Sequence, residues 1–139
     1  MVRSSNLVAE QFAAYRIILV SPLVLVVEDE AAVRAMAVEA LEAEGFVVLE
    51  APSADYAATI LQKRNDIGVV FTDVTLPGTL NGFDLAQLAQ RLHPQIGVLV
   101  TSGALPPGFS GEAPVARFVP KPYRMSGVIP IIREIMKHT

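Results

Sequence analysis

Short, continuously apolar runs alternate with longer stretches of helical periodicity along most of this chain, and that alternation narrows the fold more than any other feature. Leu23–Val27 reads Leu-Val-Leu-Val-Val, so a strand here is predicted to be buried on both faces, as in a parallel sheet. Glu30–Glu44 has Val33, Ala37, Ala40 and Leu41 on one stripe, and Gly45 stands where a helix would close. Phe46–Leu49, Val69–Thr72, Ile96–Val100 and the short pair Phe118-Val119 read as further strands. Between them, Ser53 is placed to cap a helix running to about Arg64, with Tyr56, Ile60 and Leu61 inward. Phe83–Leu92 carries Leu85, Leu88 and Leu92 on an apolar face. A last helix from Ser126 to about Lys137 takes Pro130 near its first turn, where a missing N–H does least harm. The pattern predicts an α/β domain: an open parallel sheet of five strands with helices on both faces.

One stretch breaks the alternation. Between Thr101 and Arg117 a fourth helix is due, but Pro106, Pro107, Pro114, Gly108 and Gly111 oppose it, so a loop with at most one helical turn is expected. The domain is expected to occupy residues 22–139, after an N-terminal extension over 1–21, helical from Ala9 to Ile18. Arg16 and Pro22 interrupt the apolar run Phe12–Val27, which leaves pieces well short of the ~20 residues a membrane span needs. Acidic Glu28-Asp29-Glu30 follows, not a small-residue cleavage site, so neither a membrane anchor nor a leader is expected. At 139 residues and 52% hydrophobic, the chain is long and apolar enough for one packed core. It contains no cysteine, which excludes disulfides, thiolate metal sites and cysteine nucleophiles and fits a cytoplasmic location. A net charge of −3 without a basic cluster argues against direct nucleic-acid binding.

In an open parallel α/β sheet, ligands bind outside the carboxyl ends of the strands. The residues at those ends are Glu28 and Asp29 after the first strand, Asp73 after the third, Thr101 at the end of the fourth, and Lys121 just past the fifth. Carboxylates a few ångström apart repel by several kcal/mol at an effective protein dielectric, roughly, so either one holds a proton or a cation sits among them. A hard divalent cation with oxygen ligands suits the set, and Mg²⁺ suits one that also handles phosphate. Lys121 adds a mobile positive charge, Thr101 a hydroxyl donor, and a carboxylate can itself attack phosphorus to form an acyl phosphate.

The segments Val26-Val-Glu-Asp-Glu, Phe71-Thr-Asp-Val-Thr-Leu-Pro-Gly, Leu99-Val-Thr-Ser-Gly and Phe118-Val-Pro-Lys-Pro-Tyr resemble, in order and spacing, the conserved blocks of response-regulator receiver domains, the chemotaxis-receiver-like switches of two-component signalling. The match runs from about Leu23 to Lys137. It implies a flavodoxin-like, doubly wound sheet in the order 2-1-3-4-5. It also implies that Asp73 is the phospho-acceptor, and that Glu28, Asp29, Asp73 and the backbone carbonyl of Thr75 hold Mg²⁺. Thr101 is implied as the switch hydroxyl, Phe118 as the switch aromatic and Lys121 as the partner of the phosphoryl group, with a cis peptide expected at Lys121–Pro122. The implied phosphodonor is a sensor histidine kinase or a histidine phosphotransfer protein, and the implied product is a signalling state, not enzymatic turnover. A stand-alone receiver is expected, acting on an unnamed protein target or relaying the phosphoryl group; a homodimer stays open. Two residues depart from the family's commonest pattern: Glu28 stands where Asp is commoner, and Phe118 lacks the hydroxyl of the frequent Tyr, so a switch there works by packing alone.

Each block also has an ordinary explanation. Glu28-Asp29-Glu30 could open a helix as a solvated acidic run, Asp73 could serve the turn before Pro77-Gly78, and His93 and His138 read as plain surface residues. Haloacid-dehalogenase-type phosphatases also use an Asp after a strand but want a second Asp two positions on, where this chain has Thr75. A flavodoxin-type flavin site needs an uncharged phosphate loop after the first strand, and here that loop is acidic. A pseudo-receiver that binds partners without phosphorylation is the remaining alternative, although such domains usually lack a site residue and this chain keeps them all.

Overall fold

The computed structural model describes residues 23–104 and 116–137. Its elements are β1 (Leu23–Val27), α1 (Ala31–Ala43), β2 (Val47–Ala51), α2 (Ala54–Lys63), β3 (Val69–Asp73), α3 (Gly82–Leu92), β4 (Gly97–Ser102), β5 (Ala116–Pro120) and α4 (Met125–Lys137). Every strand pairing is parallel, and the sheet runs β2-β1-β3-β4-β5, the doubly wound order expected. The expected extension and the expected loop between β4 and β5 lie outside the described residues.

The apolar runs are continuous because the sheet is covered twice. Along β1, Val24 and Val26 point into a core layer built with Ala37 and Leu41 of α1 and Val128, Ile132 and Ile135 of α4. Leu23, Leu25 and Val27 point into the opposite layer, with Ala57 and Leu61 of α2 and Leu85 and Ala89 of α3. Side chains alternate across a strand, so only a run apolar at every position fills both layers. β2 and β5 are the sheet edges, and their partial exposure matches their more mixed sequences.

Helix ends follow local chemistry. α1 closes at Gly45, with φ 91°, where the Gly45 amide donates to the Glu42 carbonyl and the Phe46 amide to the Leu41 carbonyl. Ser53 Oγ accepts from the Tyr56 amide at 3.1 Å to cap α2. α3 opens one residue earlier than the apolar pattern suggests, because Asn81 and Asp84 form a reciprocal capping box at 2.9 and 3.0 Å.

Several sequence expectations are corrected. Tyr56 is 55% exposed, because Ala54, Ala57, Ala58 and Leu61 form the buried face of α2. Leu92 is 40% exposed at the last turn of α3. Phe46 precedes β2, held by the closing bonds of α1, and the strand runs on to Ala51. Pro130 lies in the second turn of α4, not the first, on the exposed side where water can satisfy the carbonyl left without an N–H.

Gly82 is required by space. A Cβ there would run into the backbone of Asp73 and Val74, and the Gly82 amide donates to the Val74 carbonyl at 2.9 Å. α3 therefore begins against the end of β3. Gly82→Ala is expected to destabilise the chain by about 1–3 kcal/mol, as overpacking does, with a lower urea midpoint and an unchanged slope.

Candidate functional site

The sheet order reverses between β1 and β3, the neighbours from which the chain winds outward in both directions. That reversal opens a crevice at the carboxyl ends of these strands. Register then decides what faces it. Asp73 is paired with Thr101 across β3 and β4, and Thr101 with Val119 across β4 and β5. The Val74 amide donates to the Thr101 carbonyl, and the Lys121 amide to the Ser102 carbonyl, so both chain exits are held by the same ladder.

Asp73 is buried at the end of β3. Its Oδ1 accepts from the Thr75 amide at 3.2 Å and its Oδ2 from Lys121 Nζ at 2.5 Å. Glu28 is buried directly after β1, and its Oε2 accepts from the Glu30 amide at 3.2 Å. Asp29 is exposed at the rim. One carboxylate oxygen from each of Glu28, Asp29 and Asp73 lies within 4.8 Å of the others. Thr101 Oγ1 is buried and has no hydrogen-bond partner among the described residues. It lines a small cavity together with Glu28, Asp73, Phe71 and Tyr123. A buried hydroxyl without a partner costs about 1–3 kcal/mol, so Thr101 Oγ1 would gain from any acceptor that enters this cavity.

Electrostatics follow from this crowding. Burial pushes the Glu28 carboxyl above its ordinary range; the Glu30 amide opposes this, while Asp29 and the charge of Asp73 add to it. Burial alone would pull the Lys121 ammonium down, but its hydrogen bond to Asp73 and the negative charges of Asp73 and Glu28 carry it above the usual lysine range. The Tyr123 hydroxyl is raised by burial and then by Glu28. With the three carboxylates ionised, one ammonium leaves two negative charges in the cluster, the charge a divalent cation would neutralise. The oxygen-only donor set fits a hard cation, and Mg²⁺ in particular, which keeps several waters and takes few carboxylates.

The strand-end residues singled out from the sequence thus meet at one edge. For Thr75 the recorded contact with Asp73 is through its amide, not its carbonyl. Phe118 pairs with Val100 in register and is half-buried against the α2–α3 core layer. The Lys121–Pro122 peptide is cis, as expected. His93 is a correction: it is half-buried, and its Nε2 lies 2.7 Å from the Leu61 carbonyl.

Three supporting residues escaped the sequence reading. Arg34 of α1 donates to the Glu28 carbonyl at 2.8 Å. Asp55 of α2 accepts from the Thr79 amide at 3.0 Å and so ties down the loop after β3. Tyr123 packs edge-on against Phe71, with ring centres 5.6 Å apart. Arg34 left one signal, as the only basic residue in an alanine-rich helix; the other two act across the fold and left none.

Residues 24–132 match the family described as the response regulator receiver domain. The sensor kinase CckA of Brucella abortus is 31% identical over 121 residues, which is 84% of this chain but 13% of that protein. The autoinducer 1 sensor kinase/phosphatase LuxN of Vibrio harveyi is 34% identical over 83 residues, 60% of this chain and 10% of that one. Among solved structures, the receiver domain from hybrid histidine kinase CckA superposes with a TM-score of 0.70 at 29% identity, covering 82% of this chain and 98% of that one. A response regulator receiver protein from Sinorhizobium medicae gives a TM-score of 0.77 at 22% identity over 84% and 95%, a likeness of fold.

Glu28→Gln is expected to unfold at a higher temperature than the unaltered chain in chelator-treated buffer, because it removes one of the crowded carboxylates. Magnesium a hundredfold above its Kd should stabilise the unaltered chain by about 2.7 kcal/mol and the variant by less, read as shifts in thermal midpoint.

Proposed function

Because the chain belongs to the response regulator receiver domain family, we propose that it is a phospho-accepting switch that takes a phosphoryl group on Asp73 from the phosphohistidine of a sensor kinase or a histidine phosphotransfer protein. One observation carries the reading. Asp73 is buried beside an ammonium, Lys121, and a hydroxyl, Thr101, that has no partner among the described residues, with two more carboxylates within 4.8 Å.

In the transfer, an Asp73 carboxylate oxygen attacks phosphorus in line, a P–O bond forms and the P–N bond breaks. The departing imidazole nitrogen keeps the electron pair. Lys121 stands where it can exchange its contact with Asp73 for one with a phosphoryl oxygen. Thr101 Oγ1 donates a hydrogen bond to another, which ends its lack of a partner. Glu28, Asp29 and Asp73, with the Thr75 carbonyl, would hold Mg²⁺, which would neutralise charge on the phosphoryl oxygens. Movement of Thr101 then leaves room for Phe118 to change its packing, which makes the phosphorylated surface different from the free one.

The domain is read as a signalling element that promotes its own phosphorylation and loss of phosphate, with no separate substrate turned over. The relatives support partners drawn from two-component signalling, and the chain spans a small part of the kinases it matches. A cytoplasmic location fits a chain without cysteine. Among the described residues no helix is long and apolar enough to cross a membrane.

Incubation with Mg²⁺ and acetyl phosphate, followed by intact mass measurement, tests the reading. The unaltered chain is expected to gain one phosphoryl group and Asp73→Asn none. Absence of an adduct with acetyl phosphate and with a phosphohistidine donor would indicate a phosphorylation-independent binding module. Sustained phosphate release from unrelated phosphomonoesters would indicate a phosphatase.

A further inference from the structure

We infer that Arg34 is a positioning residue for the cation loop: it clamps the backbone of Glu28 and so sets how tightly the acidic cluster holds a divalent cation. The inference rests on the receiver reading and deepens it at the same site.

Arg34 sits in the first turn of α1, and its side chain is only 20% exposed. Its guanidinium makes two contacts at once: Nη1 donates to the Glu28 carbonyl at 2.8 Å, and Nε to Glu50 Oε1 at 3.2 Å. Glu50 belongs to β2, one residue before Ala51, whose carbonyl accepts from the Glu28 amide at 3.1 Å. The peptide groups flanking Glu28 are therefore gripped on both sides, by the end of β2 through the amide and by Arg34 through the carbonyl. The side chain is turned back onto the Glu30 amide, whose carbonyl in turn accepts from the Arg34 amide at 2.9 Å. The bond from the Glu28 amide to Ala51 ends the ladder between β1 and β2, and the Arg34 fork carries the restraint one peptide further, to the Glu28 carbonyl.

Charge and geometry pull in opposite directions here, which makes the two separable. A guanidinium near a cation site repels the cation, so its charge alone would weaken binding, and its removal would tighten it. Orientation of the ligand backbone has the opposite sign: groups that orient first ligands are typically worth ~10–100-fold in metal affinity. A lysine keeps the charge but lacks the planar fork needed to reach a carbonyl and a carboxylate together.

The test is Mg²⁺ affinity of the full chain by titration calorimetry, with Arg34→Met and Arg34→Lys beside the unaltered protein and urea unfolding as the check on folding. We expect Arg34→Met to bind Mg²⁺ about tenfold more weakly, with Arg34→Lys between. The Mg²⁺ concentration for half-maximal phosphorylation by acetyl phosphate should rise in parallel, while the rate at saturating Mg²⁺ stays close to that of the unaltered chain. Equal or tighter Mg²⁺ binding by Arg34→Met overturns the inference while leaving the receiver reading intact. Where Arg34→Met fails to fold, Arg34→Lys decides by the same comparison. Absence of Mg²⁺ binding by the unaltered chain overturns both.

Discussion

Parallel pairing of β1, β3 and β4 runs through a layer buried on both sides, and its register decides what lies at the carboxyl edge. Asp73 stands beside Thr101 because Val69 stands beside Gly97 at the other end of the same ladder. A slip of one residue would turn every side chain to the opposite core layer, which the packed helices on both faces forbid. The positions of these strand-end groups are thus a consequence of core packing several residues away. Gly82 adds a second restraint, because α3 can begin against the Asp73 backbone only where no Cβ intervenes.

At that edge the structure concentrates groups that do not favour one another. Two carboxylates are buried, a third stands at the rim, and a hydroxyl is left without a partner among the described residues. The buried ones cost free energy by their removal from water. The Lys121–Asp73 pair offsets part of that cost, with the aspartate largely removed from water. On the proposed reading, an incoming cation and phosphoryl group would satisfy the remaining groups together, and the two states would then differ in their internal interactions, as a switch requires.

Most of the local structure was legible because the signals are local. Ser53 caps α2 and Gly45 closes α1 as their residue types suggest. Errors arose where one pattern was read without its neighbours. Helical spacing alone puts Tyr56 inward, but the small residues Ala54, Ala57 and Ala58 allow α2 to pack closely and leave the ring outside. His93 has no local pattern at all; its ring meets the Leu61 carbonyl because α2 and α3 lie side by side.

By itself, the sequence determined the α/β class, the strands and the identity of the strand-end residues Glu28, Asp29, Asp73, Thr101 and Lys121, because backbone periodicity and residue chemistry are carried by short stretches. Only the tertiary structure decided the restraints around them: Arg34 on the Glu28 carbonyl, Asp55 on the Thr79 amide, and Tyr123 against Phe71. Those depend on distances between residues far apart in the chain, which are set by how the helices pack on the sheet and not by any local preference.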